Sequence, residues 1–314
     1  MPDARKLDYP AIAIVGATAS GKTALATALS ERFRGEIVSC DALQVYRGMD
    51  IGTAKPSREE QERIPHHMLD LRDPQDDFSA GDYMRLGRGV LRGIRERGRI
   101  PILAGGTGFY LRALIDGLFQ GPGRSEELRR RLGGIVARRG PESIHRALQR
   151  IDPEGAARIT PADAERNIRA YEVFLLTGRP MSWWQSRPKD RLIGFRWLKL
   201  GIQWPRPDLY ARIDHRVEGM IRSGFVAEVQ ALMAAHSRNS HAFKAIGYRQ
   251  IADYLEGKWN LEQAVSDIQR ESRRYAKRQI TWFRTDPEIV WLAATDGANA
   301  LLSRACTLVD LFLA

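Results

Sequence analysis

The sequence predicts an α/β fold, in which a parallel sheet flanked by helices is interrupted by an α-helical insertion. Three observations carry that expectation. Over the first third of the chain, short apolar runs alternate with helical patterns, as they do in strands joined by helical crossovers. A complete G-x-x-x-x-G-K-T stretch at residues 16–23 lies between one such run and a helix-like run, the setting a phosphate loop needs. Residues 124–188 then show helix patterns and no clear strand, before an apolar run returns to the sheet.

The elements follow in order. Residues 11–15 form the first strand and 24–33 the helix after the phosphate loop. Residues 36–39 and 100–104 read as two more strands, separated by a polar stretch and a helix around 80–97. The pattern changes at 117–123, and helices are expected at 125–139, 141–150 and 163–177, ended by Gly178-Arg179-Pro180. Residues 195–202 rejoin the sheet. Helices at 207–223, 225–235, 247–256 and 261–284 precede a strand at 289–292 and a short final helix. The expected organisation is a core built from 1–120 and 190–314, with the insertion at 121–189.

At 314 residues the chain exceeds most single domains, so one sizeable core plus a smaller module is expected. The net charge is +11, and only eight of the 49 basic residues are lysines. Arginine forks match phosphate and stack on bases, so the balance points to a polyanionic partner. An Arg-rich genome with solvated helix faces gives the same balance. Cys40 and Cys306 lie far apart without C-x-x-C spacing, which implies neither a disulfide framework nor a zinc site and fits a reducing compartment. Residues 1–10 lack the apolar stretch of a signal peptide, and no run approaches the ~18 apolar residues of a membrane span. The expected location is the cytoplasm, and nothing in the chain points beyond a monomer.

The phosphate loop comprises Gly16, Ala17, Thr18, Ala19, Ser20, Gly21, Lys22 and Thr23. Its glycines let backbone N–H groups turn toward phosphate oxygens, and the following helix adds partial positive charge. Lys22 supplies a point charge and Thr23 a hydroxyl for Mg²⁺. Such a loop defines a P-loop NTPase-like core but not the nucleotide. Nucleotide-hydrolysing relatives hold Mg²⁺ with an acidic residue after a second strand, whereas the strand at 100–104 ends in Gly105-Gly106-Thr107. Asp41 follows the second strand. On position alone it serves either as a general base or substrate-orienting carboxylate, or as a turn or N-cap residue. Thr107 is a hydroxyl donor or a cap. Arg212 and Arg216 share a helix face, as a diphosphate clamp or as solvated side chains.

Arg270, Arg273, Arg274, Lys277 and Arg278 form a cationic stripe that either tracks a nucleic-acid backbone or faces solvent. Trp282 and Phe283 can anchor the end of that helix. Adjacent His66 and His67 cannot share a helix face as metal ligands and read as structural or substrate-lining. Cys40 reads as a small packing residue. Trp183 and Trp184 stack on a base or pack within the insertion.

Eight stretches in order along residues 11–292 then identify a resemblance: GATASGKT, IVSCDALQVYRGMDIGTAKP, PHHMLD, AGGTGFYLRAL, RAYEV, LYARIDHRV, AIGYRQIADYLEG and YAKRQITWFR. Together they resemble the tRNA dimethylallyltransferases, also called isopentenyl-diphosphate:tRNA transferases. The resemblance implies transfer of a dimethylallyl group from its diphosphate to N6 of the adenine immediately 3′ of the anticodon, in tRNAs that read codons beginning with U. It implies Mg²⁺ as cofactor, and tRNA (the anticodon stem-loop) and dimethylallyl diphosphate as partners. By resemblance the loop holds a leaving group, Thr107 donates toward the bridging oxygen, and Arg216 with Arg212 grips the phosphates. Asp41 accepts a proton from the weakly nucleophilic amino group.

The tRNA contacts implied are Asp41, Ala42, Leu43, Gln44 and Thr107, then Arg129, Glu165, Arg166, Asn167, Ile168 and Arg169. They continue with Lys244, Ala245, Ile246, Gly247, Tyr248 and Arg249, and with Arg273 and Lys277 on the stripe. The chain departs from the family where Ala42 replaces a common Ser, Cys40 a common Ala, Tyr171 a common Leu and Glu165 a common Gln. The rival readings are a P-loop kinase of a small metabolite and a non-catalytic RNA-binding protein.

Overall fold

The computed structural model describes residues 8–238 and 240–314, so most of the 1–10 stretch read for a leader lies outside the described residues. The chain runs β1 (Tyr9–Gly16), α1 (Lys22–Phe33), β2 (Gly35–Ser39), α2 (Arg58–Arg63), β3 (His66–His67), α3 (Ala80–Glu96), β4 (Ile100–Gly105) and α4 (Gly108–Asp116). Helices α5 (Glu126–Arg139), α6 (Glu142–Ile151), α7 (Pro153–Ala157), α8 (Ala164–Thr177) and α9 (Met181–Gln185) follow. The chain continues with β5 (Phe195–Gln203), α10 (Arg206–Arg222), α11 (Phe225–Ala235), a 3-10 turn at His241–Lys244, and α12 (Tyr248–Leu255). It ends with α13 (Leu261–Phe283), β6 (Ile289–Ala293) and α14 (Ala298–Leu313).

The strands form a parallel sheet in the order β3-β2-β4-β1-β5-β6. Ile12 on β1 stands opposite Ile102 on β4 and Leu198 on β5, which fixes the central register. Ala11, Ala13 and Val15 face Tyr83 and Leu91 of α3 and Leu114 of α4, while Ile12 and Ile14 face Leu25 and Leu29 of α1 and Val309 of α14. Both faces are therefore buried. That is why the strand reads as one continuous apolar run rather than an alternation. Each such Leu or Ile contributes roughly 1.5–3 kcal/mol by leaving water.

Several elements lay hidden in the sequence, three of them ahead of the insertion. The two-residue strand β3 adds to the sheet edge, with His66 opposite Ile37 and His67 opposite Val38. A strand that short has no period to detect. His67 Nε2 meets Glu36 Oε2 at 2.7 Å, and the same carboxylate receives the Arg97 guanidinium, so this histidine has a structural partner. Helix α2 is short and buries no residue, but carries a capping box from Ser57 to Glu60. Helix α4 begins directly after Gly-Gly-Thr and buries Tyr110, Leu111 and Leu114.

The chain divides into two compact units, Met1–Ile115 with Leu192–Ala314, and Asp116–Arg191. The second unit packs around Leu148, Ala156, Ala170, Val173 and Met181, with Trp184 against them. Its fully buried Glu172 accepts the Ser125 N–H and pairs with Arg129 and Arg169. Trp183 is flanked by the Arg179 and Arg187 guanidinium groups, at 5.4 and 4.0 Å from its ring centre. No described helix is long and apolar enough to cross a membrane.

One glycine sets how closely two strand ends approach. A Cβ at Gly105 would lie 2.0 Å from the Cys40 carbonyl oxygen. Gly105→Ala is expected to cost about 1–3 kcal/mol through forced displacement of the β2 end. Thermal unfolding checks this, and an unchanged melting temperature would contradict it.

Candidate active site

Because β2, β4 and β1 are neighbours, their carboxyl ends deliver Asp41, Gly105-Gly106-Thr107 and the phosphate loop side by side, where parallel sheets bind ligands. A pocket of about 430 Å³ opens there, lined by residues 18–24, Asp41, Gln44, Thr53, Ala54, residues 104–106, Arg212, His215, Arg216, Tyr275 and Gln279. Thr107, which follows residues 104–106, is half-buried. Its N–H donates to Cys40 O at 3.1 Å, and its Oγ1 accepts the Ala42 N–H at 3.1 Å. Ala42 thus meets Thr107 through its backbone, a contact that needs no side chain.

The phosphate loop is seated on helices from the far half of the chain. Ala17 is buried against Leu209 and Ile213 of α10 and Ala276 of α13, with Ala19 alongside. Small residues at the loop's variable positions permit that contact. Residues Thr18 to Thr23 line the pocket, whereas Gly16 and Ala17 do not. Arg212 donates from Nε to Ala19 O at 2.9 Å and stacks over Trp204 at 4.4 Å, so one edge of its guanidinium braces the loop.

Asp41 Oδ1 accepts the N–H groups of Leu43 at 2.8 Å and Gln44 at 3.4 Å. This is the turn-forming arrangement of a short carboxylate. Asp41 therefore orders the turn, one of the two roles its position allowed, and it also lines the pocket. Gln44 accepts the Ser39 hydroxyl at 2.7 Å and donates to Thr53 O and Ala54 O at 3.3 and 3.2 Å. The 50–54 segment is held from behind by Glu228. That carboxylate accepts the N–H groups of Asp50, Ile51 and Gly52 at 3.1, 2.6 and 3.1 Å, and the Tyr248 hydroxyl at 2.7 Å. Arg216 reaches Thr53 O at 3.4 Å from the other side.

Electrostatics focus on Lys22, whose ammonium donates to Ala17 O at 2.6 Å. Burial, aided by the like charge of Arg216 and opposed by Asp41, pulls its pKa down to about 7. Burial also pulls Arg216 below its ordinary value, with Asp41 acting against it. Cys40 is pushed up to about 12 by burial and stays a protonated packing residue. Burial raises Tyr275 to about 12.

An anion bound beside Lys22 favours its charged form and lifts its pKa again. Below about pH 7 the ammonium is already charged. Above that value, binding must draw a proton from solvent, so affinity falls as pH rises until the bound-state pKa is passed. Calorimetry of inorganic diphosphate at about pH 8, in buffers of different ionisation heat, is expected to show proton uptake that disappears in Lys22→Met. Equal uptake in the two proteins would remove Lys22 as its source.

Thr23, exposed in the pocket, offers a hard hydroxyl oxygen. This donor set suits Mg²⁺, which keeps several waters and takes few protein ligands beside phosphate oxygens.

The remaining residues implied by resemblance do not line this pocket. Arg129 and Arg169 are engaged by Glu172, and Asn167 is fully buried with His145 and backbone carbonyls. Glu165 and Arg166 are exposed at the start of α8, with Ile168 half-buried. Lys244 and Arg249 are exposed and Ala245 and Ile246 half-buried, whereas Gly247 and Tyr248 are buried. On the stripe, Arg273 pairs with Asp214 at 2.5 Å, Arg270 with Asp267 and Arg274 with Glu271. Lys277 and Arg278 have no carboxylate partner among the described residues. The stripe is thus far less cationic than its spacing implies.

Sequence reasoning missed Tyr275, Gln279, His215, Thr53 and Ala54 in the pocket. The one available signal was that Tyr275 and Gln279 stand four apart, facing inward beside buried Ala276.

Comparison with known proteins agrees with this geometry. The profile of the IPP transferase family matches residues 44–286. The tRNA dimethylallyltransferase of Koribacter versatilis is 48% identical over 296 residues, covering 94% of this chain and 96% of the relative. That of Solibacter usitatus is 48% identical over 305 residues, covering 97% and 99%. Among solved structures, the full-length tRNA isopentenylpyrophosphate transferase of Bacillus halodurans superposes with a TM-score of 0.72 at 39% identity, covering 98% of this chain and 97% of the other. A eukaryotic dimethylallyltransferase acting on tRNA gives 0.76 at 28% identity, covering 92% of this chain and 74% of the other. The phosphate-loop core is therefore shared along nearly the whole chain, and the chain belongs to the IPP transferase family.

Proposed function

We propose that this protein transfers a dimethylallyl group from dimethylallyl diphosphate to tRNA, at N6 of the adenine immediately 3′ of the anticodon (tRNA position 37) in tRNAs reading codons that begin with U. The observation that carries the reading is a single pocket combining a phosphate loop, Arg216 and the Asp41 carboxylate, beside a β4 end that reads Gly-Gly-Thr. The relatives compared above are transferases acting on tRNA, which leaves the metabolite-kinase and non-catalytic readings without support.

The chemistry follows from charge. The adenine N6 attacks the allylic carbon, the carbon–oxygen bond breaks, and its electron pair departs with diphosphate. Lys22 and Arg216 neutralise charge that grows on the leaving group, and Thr107 donates toward the oxygen being released. Asp41 accepts the proton lost from N6, which raises the nucleophilicity of a delocalised amine. Thr23 would hold Mg²⁺, which would further neutralise the diphosphate when bound. Reaching the pocket requires the base to leave its stack, at a cost of a few kcal/mol offset by pocket and phosphate contacts.

Incubation with dimethylallyl diphosphate, Mg²⁺ and tRNA is expected to yield diphosphate and N6-(dimethylallyl)adenosine, detected by nucleoside mass analysis. Absence of product with every tRNA carrying that adenine would refute the proposal.

RNA binding has its own test. Lys277→Ala with Arg278→Ala is expected to weaken tRNA binding and flatten the log–log salt dependence by about 0.7–0.9 per lost phosphate contact. Arg273→Ala alone is expected to change the slope little, because Asp214 already holds that guanidinium. An unchanged slope in the double variant would return this face to solvent.

A further inference from the structure

We infer that Gln279 is a positioning residue, whose side-chain amide ties the phosphate loop to the Gly-Gly-Thr turn and so sets the distance between the diphosphate cradle and Thr107. The inference rests on the transfer reaction proposed above, because the effect on turnover is an effect on that reaction.

The geometry is specific. The backbone ladder between β1 and β4 ends at the Val15–Gly105 pair, and beyond it the two chains part into their loops. Gln279 extends the connection. Its Oε1 accepts the Thr18 N–H at 2.8 Å, and its Nε2 donates to Gly106 O at 2.9 Å. One partner is a pure donor and the other a pure acceptor, so the amide has a single satisfactory orientation. The residue is only 6% exposed, so losing either bond would strand a buried polar group. Gly106 leaves room for the amide, since a Cβ there would lie 2.0 Å from Nε2. The Thr18 N–H, a natural phosphate donor by its place in the loop, is committed to this bridge.

A link of this kind matters because Lys22 and Thr107 act on the same departing diphosphate from separate loops. A misplacement of about 1 Å at such a centre costs on the order of 10²-fold in rate. The bridge comes from α13, whose other side carries Lys277 and Arg278, so one helix holds both the exposed cations and the cradle's spacer.

Gln279→Glu gives a test that a merely structural role would not satisfy. A protonated glutamic acid still accepts from Thr18 and donates to Gly106. A carboxylate faces the Gly106 carbonyl with no proton. The ratio of variant to wild-type turnover is therefore expected to climb by about tenfold for each pH unit lowered through the titration of residue 279. KM for tRNA is expected to stay within about twofold, because the bridge faces the cradle rather than the RNA surface. Amide exchange at Thr18, which needs no transfer reaction, is expected to be protected in wild type and in the Glu variant, because either form of the carboxyl group accepts that N–H. Gln279→Leu is expected to lose that protection and about 10²-fold in turnover.

Equal Thr18 exchange in wild type and Gln279→Leu would overturn the bridge. Altered exchange with a flat turnover ratio would overturn the positioning role. If exchange behaves as expected but wild type transfers nothing, the reaction proposed above fails and this inference falls with it.

Discussion

Asp41→Asn is expected to lower turnover by about 10²–10⁴-fold, the range general base catalysis contributes, while tRNA affinity stays within a few-fold. The isosteric amide keeps the oxygen that accepts the Leu43 and Gln44 N–H groups, so the turn should survive. What it loses is the acceptor for the N6 proton. A secondary effect follows from the charge: the Asp41 carboxylate is what opposes the burial-driven fall of the Lys22 pKa. Its removal should push Lys22 further down and modestly weaken diphosphate binding near neutral pH. Single-turnover rates with saturating tRNA separate the two effects. Near-native single-turnover rates would show that Asp41 is only a turn residue.

Lys22→Met is expected to reduce kcat/KM by about 10²–10³-fold, as for loss of one preorganised donor to developing negative charge. Arg216→Ala should cost less, because Lys22 partly compensates. The Arg216 charge is one of the two influences lowering the Lys22 pKa, so its removal leaves a lysine more fully charged at neutral pH. In the Lys22→Met background that compensation is absent. The double variant is therefore expected to be worse than the product of the single effects, the sign of coupled groups in a double-mutant cycle. Strict additivity would mean the two cations act on separate parts of the ligand. Circular dichroism and melting curves should be close to wild type, since neither cation has a carboxylate partner among the described residues.

Much of this site could be read before the fold was known, for a simple reason. The phosphate loop, Asp41 and Gly105-Gly106-Thr107 each end an apolar run, and a parallel sheet brings strand ends together whatever the strand order. What could not be read comes from long-range pairing. Tyr275 and Gln279 enter the pocket from a helix more than half the chain away, and the charges of that helix drew attention to its outer face. Spacing showed where the arginines of α13 lie but not which carboxylates meet them. Asp214 arrives from α10, and Asp267 and Glu271 from the preceding turn of the same helix. Glu172 is a similar case, since only the folded insertion shows that it engages both Arg129 and Arg169. Tyr248 looked like an RNA contact because of its motif, yet it is fully buried and braces Glu228 behind the 50–54 segment. Strand β3 was invisible because two residues have no period.

In the proposed reaction the phosphate loop holds a leaving group whose release depends on attack by an RNA base. Diphosphate release, followed alongside base modification, tests it directly. With tRNA carrying adenine 3′ of the anticodon, one diphosphate is expected per modified base, with no release when that adenine is replaced by guanine and no phosphate from ATP under any condition. Diphosphate release without the adenine, or ATP hydrolysis by the purified protein, would contradict the account.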